Sequence, residues 1–478
     1  MNPGLSPELS PMTQDPRKLV VVGHGAAGLA AAVAAAETVQ SQGLAVDITV
    51  LEKSREDDAG GNTRWSPSNM RLDAPDRIDP GFVDDMLRAC GGQGDPGYFH
   101  ALADNATATI GWLQGHGVEF VTPLYYLSAG PARIQPVGGG SVIVAKLREA
   151  ARRAGVKFRY DSPVSRLVMA EGGRVSGVEA RGPDGVTTLD ADAVVLASGG
   201  FQGNAAMMRA HFGPGAEMIK LISPGTRFDT GDGIRVATEQ GASVSGDWNG
   251  MHIEPVDPRS RNSAPVVLVY PYGIVVDQHG RRFFDEGGGL MHETWERLAR
   301  DIHFSRPKNI AYAILDSRLF EIDGYERAIR SEVPPYRARS IEELAARIGI
   351  PAGNLRETVD AFNAAARGDP SRFDASRCDG LATAGGLQPP KSNWARAIGK
   401  PPYLAYPLVG AIAYTFGGLA TTAKAEVLSE QGPMPGLYAA GETTGHFYRT
   451  APNAVAVLRA LAFGKIAGRE AIGFLQRR

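Results

Sequence analysis

The sequence contains very little cysteine. Cys90 and Cys378 are the only two cysteines in 478 residues. Two such distant cysteines cannot supply the ligands of an iron–sulfur cluster or of a cysteine zinc site, and they form neither a CxxC redox motif nor a CxxCH haem attachment site. We therefore predict no metal site, and any electron carrier in this chain must be a bound organic cofactor.

The chain also lacks an excess of charge of either sign. Its 50 basic and 52 acidic residues leave a formal net charge of −2. Proteins that bind nucleic acids or anionic membranes carry concentrated positive charge. We therefore predict that neither nucleic acid nor an anionic membrane surface is a partner.

Long apolar runs are missing as well. The longest near the N-terminus, residues 28–36, is too short to span a bilayer, so no membrane span is predicted. Residues 1–16 are rich in proline and serine and lack the basic start and apolar core of a signal peptide. We interpret them as a disordered lead-in, and together with the scarcity of cysteine they predict a cytoplasmic location.

What the sequence does contain near its start is a strand, a glycine-rich turn, a helix and a second strand. Residues 18–22 read KLVVV, and residues 23–28 read GHGAAG. In such a turn the first glycine permits the tight bend, the second lets the backbone approach a pyrophosphate, and the third lets the helix pack closely on the sheet. Glu52 ends the second strand at the distance where a carboxylate accepts hydrogen bonds from a ribose. The combination predicts dinucleotide binding.

The rest of the chain predicts an α/β fold in two structural units. Residues 157–200 are rich in strands and end in a buried strand followed by glycines, and the same pattern returns at residues 436–442. Between them the pattern becomes mixed, with helices near 291–302 and 340–367. We predict a Rossmann-like domain of the glutathione-reductase type at residues 17–246 and 413–478, split by an inserted α+β capping domain at residues 247–412. The last helix of the chain is predicted to start at Thr450 or Ala451.

Five motifs in order resemble the fumarate reductase and succinate dehydrogenase flavoprotein superfamily. They are the glycine turn with Glu52, GGNT at 60–63, DAVVLASGG at 192–200, TGDG at 230–233 and LYAAGE at 437–442. The segments FDEGG at 284–288, YTFGGL at 414–419 and FYRTAP at 447–452 are most similar to the tricarballylate dehydrogenase group. The resemblance implies an FAD enzyme with a split flavin domain and a capping domain.

The resemblance also implies which residues contact FAD. Gly23, Gly25 and Ala27 would face the pyrophosphate, Glu52 the adenosine ribose, and Glu442 the ribitol chain. The remaining candidates for the cofactor site come from the same motifs and their neighbours: Ala26, Lys53, Gly60, Gly61, Asn62, Thr63, Val164, Ser198, Gly199, Asp232, Gly441, Asn453 and Val457. Members with covalent flavin attach it to a histidine directly before the threonine of the GGNT-like loop. Asn62 occupies that place here, so we predict noncovalent FAD.

The shared reaction of these enzymes is two-electron exchange across a carbon–carbon bond beside a carbonyl or carboxylate. It needs a proton donor or acceptor and a group that stabilises an enolate-like oxygen. By resemblance, His252 matches a substrate-binding histidine, Arg449 lies where a guanidinium would hold a carboxylate, and Tyr414 replaces a second substrate histidine. Tyr448 and His292 are further candidates. The alternatives are a structural histidine, a surface arginine, a core tyrosine and, for His292, an exposed helical position.

Three departures from the family pattern bear on the substrate. Leu290 stands where fumarate reductases place a proton-donating arginine, His292 follows where the tricarballylate group has an arginine, and Asn453 and Ala454 replace a glycine pair. Loss of a cation argues against a substrate with three carboxylates, because each buried carboxylate needs a partner.

We therefore predict an FAD-dependent dehydrogenase that desaturates a carbon–carbon bond next to a carboxylate or carbonyl in a small organic substrate. An unidentified electron acceptor or donor is the expected second partner. Two alternatives remain. One is a flavin ene-reductase or a cyclic-ketone desaturase similar to the ketosteroid dehydrogenases, with Tyr414 and Tyr448 carrying the phenolic chemistry. The other is a flavin-binding protein without activity.

Overall fold

The computed structural model describes residues 15–127, 130–182 and 185–477. The predicted lead-in lies almost entirely outside these residues. The α-helices of the described residues are α1 (Ala26–Gln42), α2 (Phe82–Ala89), α3 (Pro96–Gly115), α4 (Gly140–Arg153), α5 (Ala205–Phe212), α6 (Asp232–Thr238), α7 (Met291–Ser305), α8 (Ile341–Ile348), α9 (Ala352–Ala365) and α10 (Ala456–Gln476). The strands are β1 (Arg17–Val22), β2 (Val46–Leu51), β3 (Phe120–Val121), β4 (Gln135–Pro136), β5 (Lys157–Arg159), β6 (Val164–Met169), β7 (Val175–Gly182), β8 (Gly185–Asp190), β9 (Ala193–Leu196), β10 (Lys220–Leu221), β11 (Val244–Ser245), β12 (Met251–Val256), β13 (Ile274–Val276), β14 (Ala311–Leu315), β15 (Tyr336–Ala338), β16 (Tyr403–Thr415), β17 (Gly418–Leu419), β18 (Glu426–Ser429) and β19 (Gly432–Ala439).

The main sheet is parallel except at one edge. Its strand order is β18-β19-β9-β1-β2-β5, and only β18 runs antiparallel to its neighbour. β1 lies between two partners and is covered on both faces, which explains its continuous apolar run. Parallel strands end at the same edge, so the glycine turn after β1 and Glu52 after β2 meet there. The sheet confirms the predicted α/β, Rossmann-like fold.

Two long helices, α1 and α10, cover one face of this sheet and pack tightly against each other. α1 is rich in alanine and almost wholly buried in its first eleven residues. A Cβ on Gly464 would lie 2.4 Å from the carbonyl oxygen of Ala27, and one on Gly468 would lie 2.2 Å from that of Ala31. Only glycine allows this approach, so the small residues of both helices fix the position of the turn that begins α1.

A second sheet, the cap sheet, is built around one long strand. β16 pairs with β10, β12, β14 and β15, and β13 extends the sheet beyond β14. α7 packs on β12 and β16. β16 continues to Thr415, so Tyr414 lies where the cap sheet meets the edge of the main sheet.

The predicted domain boundaries at 247 and 412 stay a prediction. β16 crosses the second boundary, and β10 joins the cap sheet from a position before the first one. The predicted start of the last helix is wrong, since α10 begins at Ala456. Arg449 and Ala454 have φ values of 60° and 58°, in the left-handed region, and a chain with such residues cannot continue an α-helix.

Candidate functional site

One large cavity lies between the carboxyl edge of the main sheet and the cap sheet. Its volume is about 830 Å³. Gly60 and Tyr448 do not line it, whereas the other sequence-predicted site residues do. The lining residues that the sequence predicted are Gly23, Gly25, Ala26, Ala27, Glu52, Lys53, Gly61, Asn62, Thr63, Val164, Ser198, Gly199, Asp232, His252, His292, Tyr414, Gly441, Glu442, Arg449, Asn453 and Val457.

The glycine turn forms one end of the cavity. Gly23 has a φ of 113°, and a Cβ there would lie 2.2 Å from the carbonyl oxygen of Ala197. A Cβ on Gly28 would lie 2.0 Å from the carbonyl oxygen of Gly23. A Cβ on Gly25, by contrast, would meet no atom within 4 Å in the described structure. Gly23 and Gly28 therefore shape the turn, and Gly25 leaves open space at the N-terminus of α1, where backbone N–H groups attract an anion.

Glu52 is held firmly at the same end. It is 8% exposed, and its carboxylate accepts hydrogen bonds from the backbone N–H groups of His24 (3.0 Å) and Ser54 (2.7 Å). Next to it, Lys53 donates to Asp232 at 2.7 Å. This geometry keeps one carboxylate fixed beside the turn, as ribose recognition requires.

His24 is a residue of this end that the sequence did not single out. It is fully buried, its Nδ1 lacks a hydrogen-bond partner in the described structure, and its Nε2 lies 3.4 Å from the hydroxyl oxygen of Tyr160. Burial lowers the pKa of His24 to about 4, with a further contribution from the positive charge of Arg148. The imidazole is therefore neutral at neutral pH.

Asn62 stands in the middle of the cavity wall and is fully engaged by the protein. Its side-chain amide donates to the carbonyl oxygen of Ala413 at 2.8 Å, and its oxygen accepts from the hydroxyl groups of Ser223 (2.7 Å) and Thr226 (3.3 Å). These three hydrogen bonds link the GGNT loop to β16 and to the segment that follows β10, and they orient the side chain of Asn62.

Two buried carboxyl groups lie close together near Gly199 and Gly200. The side-chain amide of Gln202 donates to Asp229 (2.9 Å) and to Glu442 (3.3 Å). Burial raises the pKa of Glu442 to about 7, and burial together with the negative charge of Glu442 raises that of Asp229 well above its ordinary value. Repulsion between the two groups favours retention of a proton by the pair at neutral pH.

The cap end of the cavity holds a histidine between two glutamates. His252 Nε2 lies 3.1 Å from a carboxylate oxygen of Glu254, on the same face of β12, and its Nδ1 makes a short contact with Glu296 of α7. Burial by itself lowers the pKa of His252, but the charge of Glu296 and the hydrogen bonds with both carboxylates outweigh burial and raise the pKa to about 10. His252 is therefore an imidazolium at neutral pH.

Tyr414 lies directly against this histidine. The two residues are cross-strand partners on β12 and β16, and their rings stack with centroids 4.9 Å apart. Tyr414 lines the cavity, and its hydroxyl group forms no hydrogen bond with another described residue. Burial, followed by the negative charge of Glu296, raises the pKa of Tyr414 well above 10, so the phenol remains protonated and can donate a hydrogen bond.

Three buried arginines also line the cavity, Arg71, Arg133 and Arg459, and none of them was predicted as a site residue. Arg459 stacks over the ring of Phe447 at 3.9 Å and donates to the carbonyl oxygen of Thr444 at 3.3 Å. Arg71 makes a short ion pair with Asp85. Arg133 stacks over the rings of Tyr125 and Tyr126, with distances of 4.3 and 4.6 Å to the ring centroids. Arginines from distant segments therefore line the cavity, although Leu290 supplies no positive charge. The sequence signal for Arg133 was its place just before the glycine run that opens α4, whereas Arg71 had none.

The remaining predicted catalytic residues differ in position. Arg449 is exposed at the cavity rim, with its side chain next to Gly91. Tyr448 points elsewhere, since its hydroxyl oxygen accepts a hydrogen bond from the backbone N–H of Gly246. The interpretation of His292 as an exposed helical residue is wrong, because it is largely buried at the start of α7 and lines the cavity. Packing of Tyr125 against its ring, at 5.5 Å, explains this.

The residues present fit an FAD molecule. The open space at Gly25, the fixed carboxylate of Glu52 and the polar groups around Glu442 all line this one cavity. Within the described residues, no helix is both long and apolar enough to cross a membrane.

Comparison with known proteins gives the following matches. The family model described as FAD binding domain matches residues 18–454. The chain is 29% identical over 476 residues to a probable fumarate reductase of Shewanella frigidimarina, covering 95% of this chain and 74% of the relative. It is 30% identical over 366 residues to a 4-oxocyclohexanecarboxylate 2-dehydrogenase of Sinomonas cyclohexanicum, covering 70% of this chain and 61% of the relative. An open flavocytochrome c3 fumarate reductase structure superposes with a TM-score of 0.75 at 26% identity, covering 96% of this chain and 78% of that one.

Proposed function

The chain belongs to the FAD binding domain family and is an FAD-dependent oxidoreductase of carbon–carbon bonds, and from this premise we propose that it desaturates a bond next to a ketone or carboxylate at the His252 end of the cavity. Bound FAD supplies the acceptor for a hydride. The observation that carries the proposal is the stack of Tyr414 on His252, with His252 held between two glutamates.

Each of these residues has a defined task in the proposal. The unpartnered hydroxyl group of Tyr414 donates a hydrogen bond to the substrate carbonyl oxygen, where negative charge develops as the neighbouring carbon loses its proton. In desaturation the carboxylate of Glu296, which lines the cavity, takes up the proton that leaves this carbon, and in the opposite direction the pair of Glu296 and His252, joined by their short contact, returns a proton to it. Glu254 fixes the imidazole ring from the other side, which keeps its orientation constant while the proton moves.

The glycine-turn end would hold the adenosine half of the cofactor. We propose that Glu52 accepts hydrogen bonds from the ribose and that Glu442 binds the ribitol chain. We also propose noncovalent FAD, because Asn62 takes the place of the attachment histidine and its side chain is hydrogen-bonded to Ala413, Ser223 and Thr226. An external electron acceptor or donor completes the cycle, since the chain's two cysteines cannot form an iron–sulfur or CxxC relay.

Anaerobic mixing tests the proposal. Purified protein with bound FAD is mixed with saturated and unsaturated carboxylates and ketones, and the oxidised flavin absorption band is followed. We expect at least one saturated compound to bleach the band. If no compound in a broad panel changes the redox state of the flavin, the alternative of a flavin-binding protein without activity is favoured.

The opposite direction, reduction of an activated double bond, is the second candidate. It is favoured by the proton already present on His252, whose pKa is raised to about 10 by its two glutamates against the opposing effect of burial. A group that is already protonated can deliver a proton to carbon without first taking one up from solvent. Reoxidation of pre-reduced enzyme by an unsaturated ketone or acid, faster than by buffer alone, would support this direction.

A further inference from the structure

The charges along the cavity wall are distributed asymmetrically. At the His252 end, both ring nitrogens of the histidine are occupied by carboxylates of Glu254 and Glu296. This cluster of one cation and two anions carries a net negative charge. The two glutamates therefore disfavour a substrate carboxylate beside His252, whereas a neutral carbonyl can still bind the hydroxyl group of Tyr414.

Unpaired positive charge is found at Arg133. Arg459, the other buried arginine of the wall without an ion pair among the described residues, already acts on the carboxyl group of Glu442. The side chain of Arg133 is 6% exposed, lines the cavity and forms no ion pair with a carboxylate among the described residues. Its Nε has no hydrogen-bond partner in the described structure. Arg71 is equally buried and lines the same cavity, but it is neutralised by Asp85. A buried guanidinium without a counter-ion is costly, so Arg133 has the properties of a site for an anionic group of the ligand.

Other polar atoms near Arg133 also lack partners within the described residues. They include Nδ1 of His292 and Oδ1 of Asn453. Both residues are adjacent to Tyr125, one of the two rings on which Arg133 stacks: His292 by a ring contact of 5.5 Å, and Asn453 by a hydrogen bond of 3.4 Å to the tyrosine hydroxyl group. Unpartnered buried groups of this kind are completed by a polar ligand.

Flat aromatic surface lies between the two ends. Tyr126, which stacks with Arg133, contacts Trp295 at 6.1 Å, and Trp295 contacts His252 at 6.3 Å between ring centroids. Two aromatic rings thus separate the guanidinium from the imidazolium along the wall. A small open-chain dicarboxylate has no apolar body to cover these rings, whereas a carbocyclic substrate does.

We propose that the substrate is a cyclic ketone or enone with a single carboxylate remote from the reacting bond, that Arg133 binds this carboxylate, and that the ring lies against Tyr126 and Trp295. This inference rests on the proposed function, because it assigns the ketone to Tyr414 and His252. It makes Arg133 a specificity-determining residue whose loss affects binding of the charged end of the substrate and leaves the proton-transfer pair intact.

Binding of matched probes to the oxidised FAD protein tests this inference without requiring turnover. The probes are 3-oxocyclohexanecarboxylate, its uncharged methyl ester, and succinate, each titrated while the visible flavin spectrum is recorded. We expect the acid to bind at least about tenfold more tightly than the ester, as expected for a buried charge-assisted contact, and more tightly than succinate. Arg133→Gln should remove the preference for the acid with little effect on ester binding, and Arg133→Lys should restore part of it. Arg396→Gln is the matched control, because Arg396 also stacks on an aromatic ring, Phe373, but does not line the cavity.

The outcomes separate this inference from the proposed function. Equal binding of acid and ester to the wild-type protein, or an unchanged acid preference in Arg133→Gln, overturns the inference even if the flavin is redox-active with other compounds. Tighter binding of succinate than of the cyclic acid also overturns it. The proposed function fails independently, when no compound bleaches or reoxidises the flavin although the probes bind. If Arg133→Gln loses its FAD, the comparison of acid and ester binding in the wild-type protein and in Arg133→Lys still tests the inference.

Discussion

The substitution Glu296→Gln removes one of the two carboxylates that hold His252 protonated. With both in place the pKa of His252 is about 10 against an ordinary value of 6.5, because Glu296 and Glu254 outweigh the opposing effect of burial. That difference corresponds to about 5 kcal/mol of interaction that favours the imidazolium. One nearby opposite charge accounts for about 1–3 pKa units, so the variant should lower the pKa of His252 by that amount.

The assay is an NMR titration of protein with isotope-labelled histidine. The chain has nine histidines, and the resonance that disappears in His252→Gln identifies the one of interest. In the wild-type protein this resonance should remain that of an imidazolium through neutral pH, and in Glu296→Gln its midpoint should fall. A wild-type midpoint near 6.5, or an unchanged midpoint in the variant, would refute the assignment of His252 and Glu296 as a proton-sharing pair.

The same shift predicts how stability depends on pH. The folded-state pKa of His252 is raised above its unfolded value, so the stabilising contribution is fully present below about pH 6.5 and is lost as the pH rises through about 10. Thermal unfolding of the wild-type protein should therefore show a fall in melting temperature across this window that is smaller in Glu296→Gln.

Three other substitutions or treatments give direct checks. Gly23→Ala should destabilise the protein by more than about 2 kcal/mol and impair FAD retention, because a Cβ would lie 2.2 Å from the carbonyl oxygen of Ala197 at a φ of 113°; a variant with normal melting temperature and FAD content would contradict the turn geometry. Denaturation followed by gel filtration should separate all the FAD from the chain, since Asn62 replaces the attachment histidine, and yellow colour that stays with the protein would disprove noncovalent binding. Tyr414→Phe should slow turnover about a hundredfold with FAD content unchanged, as expected for loss of a hydrogen-bond donor at the reacting carbonyl, and an unaltered kcat would exclude Tyr414 from that role.

The sequence predicted the glycine-turn end of the site well because that end is local. The turn, the buried strand before it and Glu52 lie within 35 residues, and each has a pattern set by backbone geometry. The parallel pairing of β1 with β2 then brings Glu52 to the turn without any further long-range requirement. A local pattern of this kind is readable from one sequence.

The cap end was only partly predictable because its contacts are long-range. His252 and Tyr414 are cross-strand partners separated by more than 160 residues, and Glu296 reaches them from a helix in a third segment. The family resemblance identified the histidine and the tyrosine, but nothing in the local sequence indicated that both ring nitrogens would be occupied by carboxylates. Arg133 was missed for the same reason, since its role depends on two tyrosines stacking around it.

The start of the last helix shows a different limit of sequence reasoning. Ala451 and Pro452 resemble a helix start, because proline is favoured in the first turn. The residues around them instead adopt left-handed conformations at Arg449 and Ala454, and α10 begins four residues after Pro452. The backbone of Ala454 is fixed by a distant contact, its carbonyl oxygen accepting from the N–H of Arg71. No pattern within the segment itself encodes that bond.

We propose that the chemistry takes place at the stacked pair of His252 and Tyr414. Anaerobic rapid mixing of the FAD-loaded enzyme with 3-oxocyclohexanecarboxylate measures the flavin reduction step by itself, apart from product release and reoxidation. We expect rapid bleaching in the wild-type protein and a reduction rate about a hundredfold lower in both His252→Gln and Tyr414→Phe, with normal FAD content in each. Reduction by a saturated substrate at the wild-type rate in both variants would contradict this proposal.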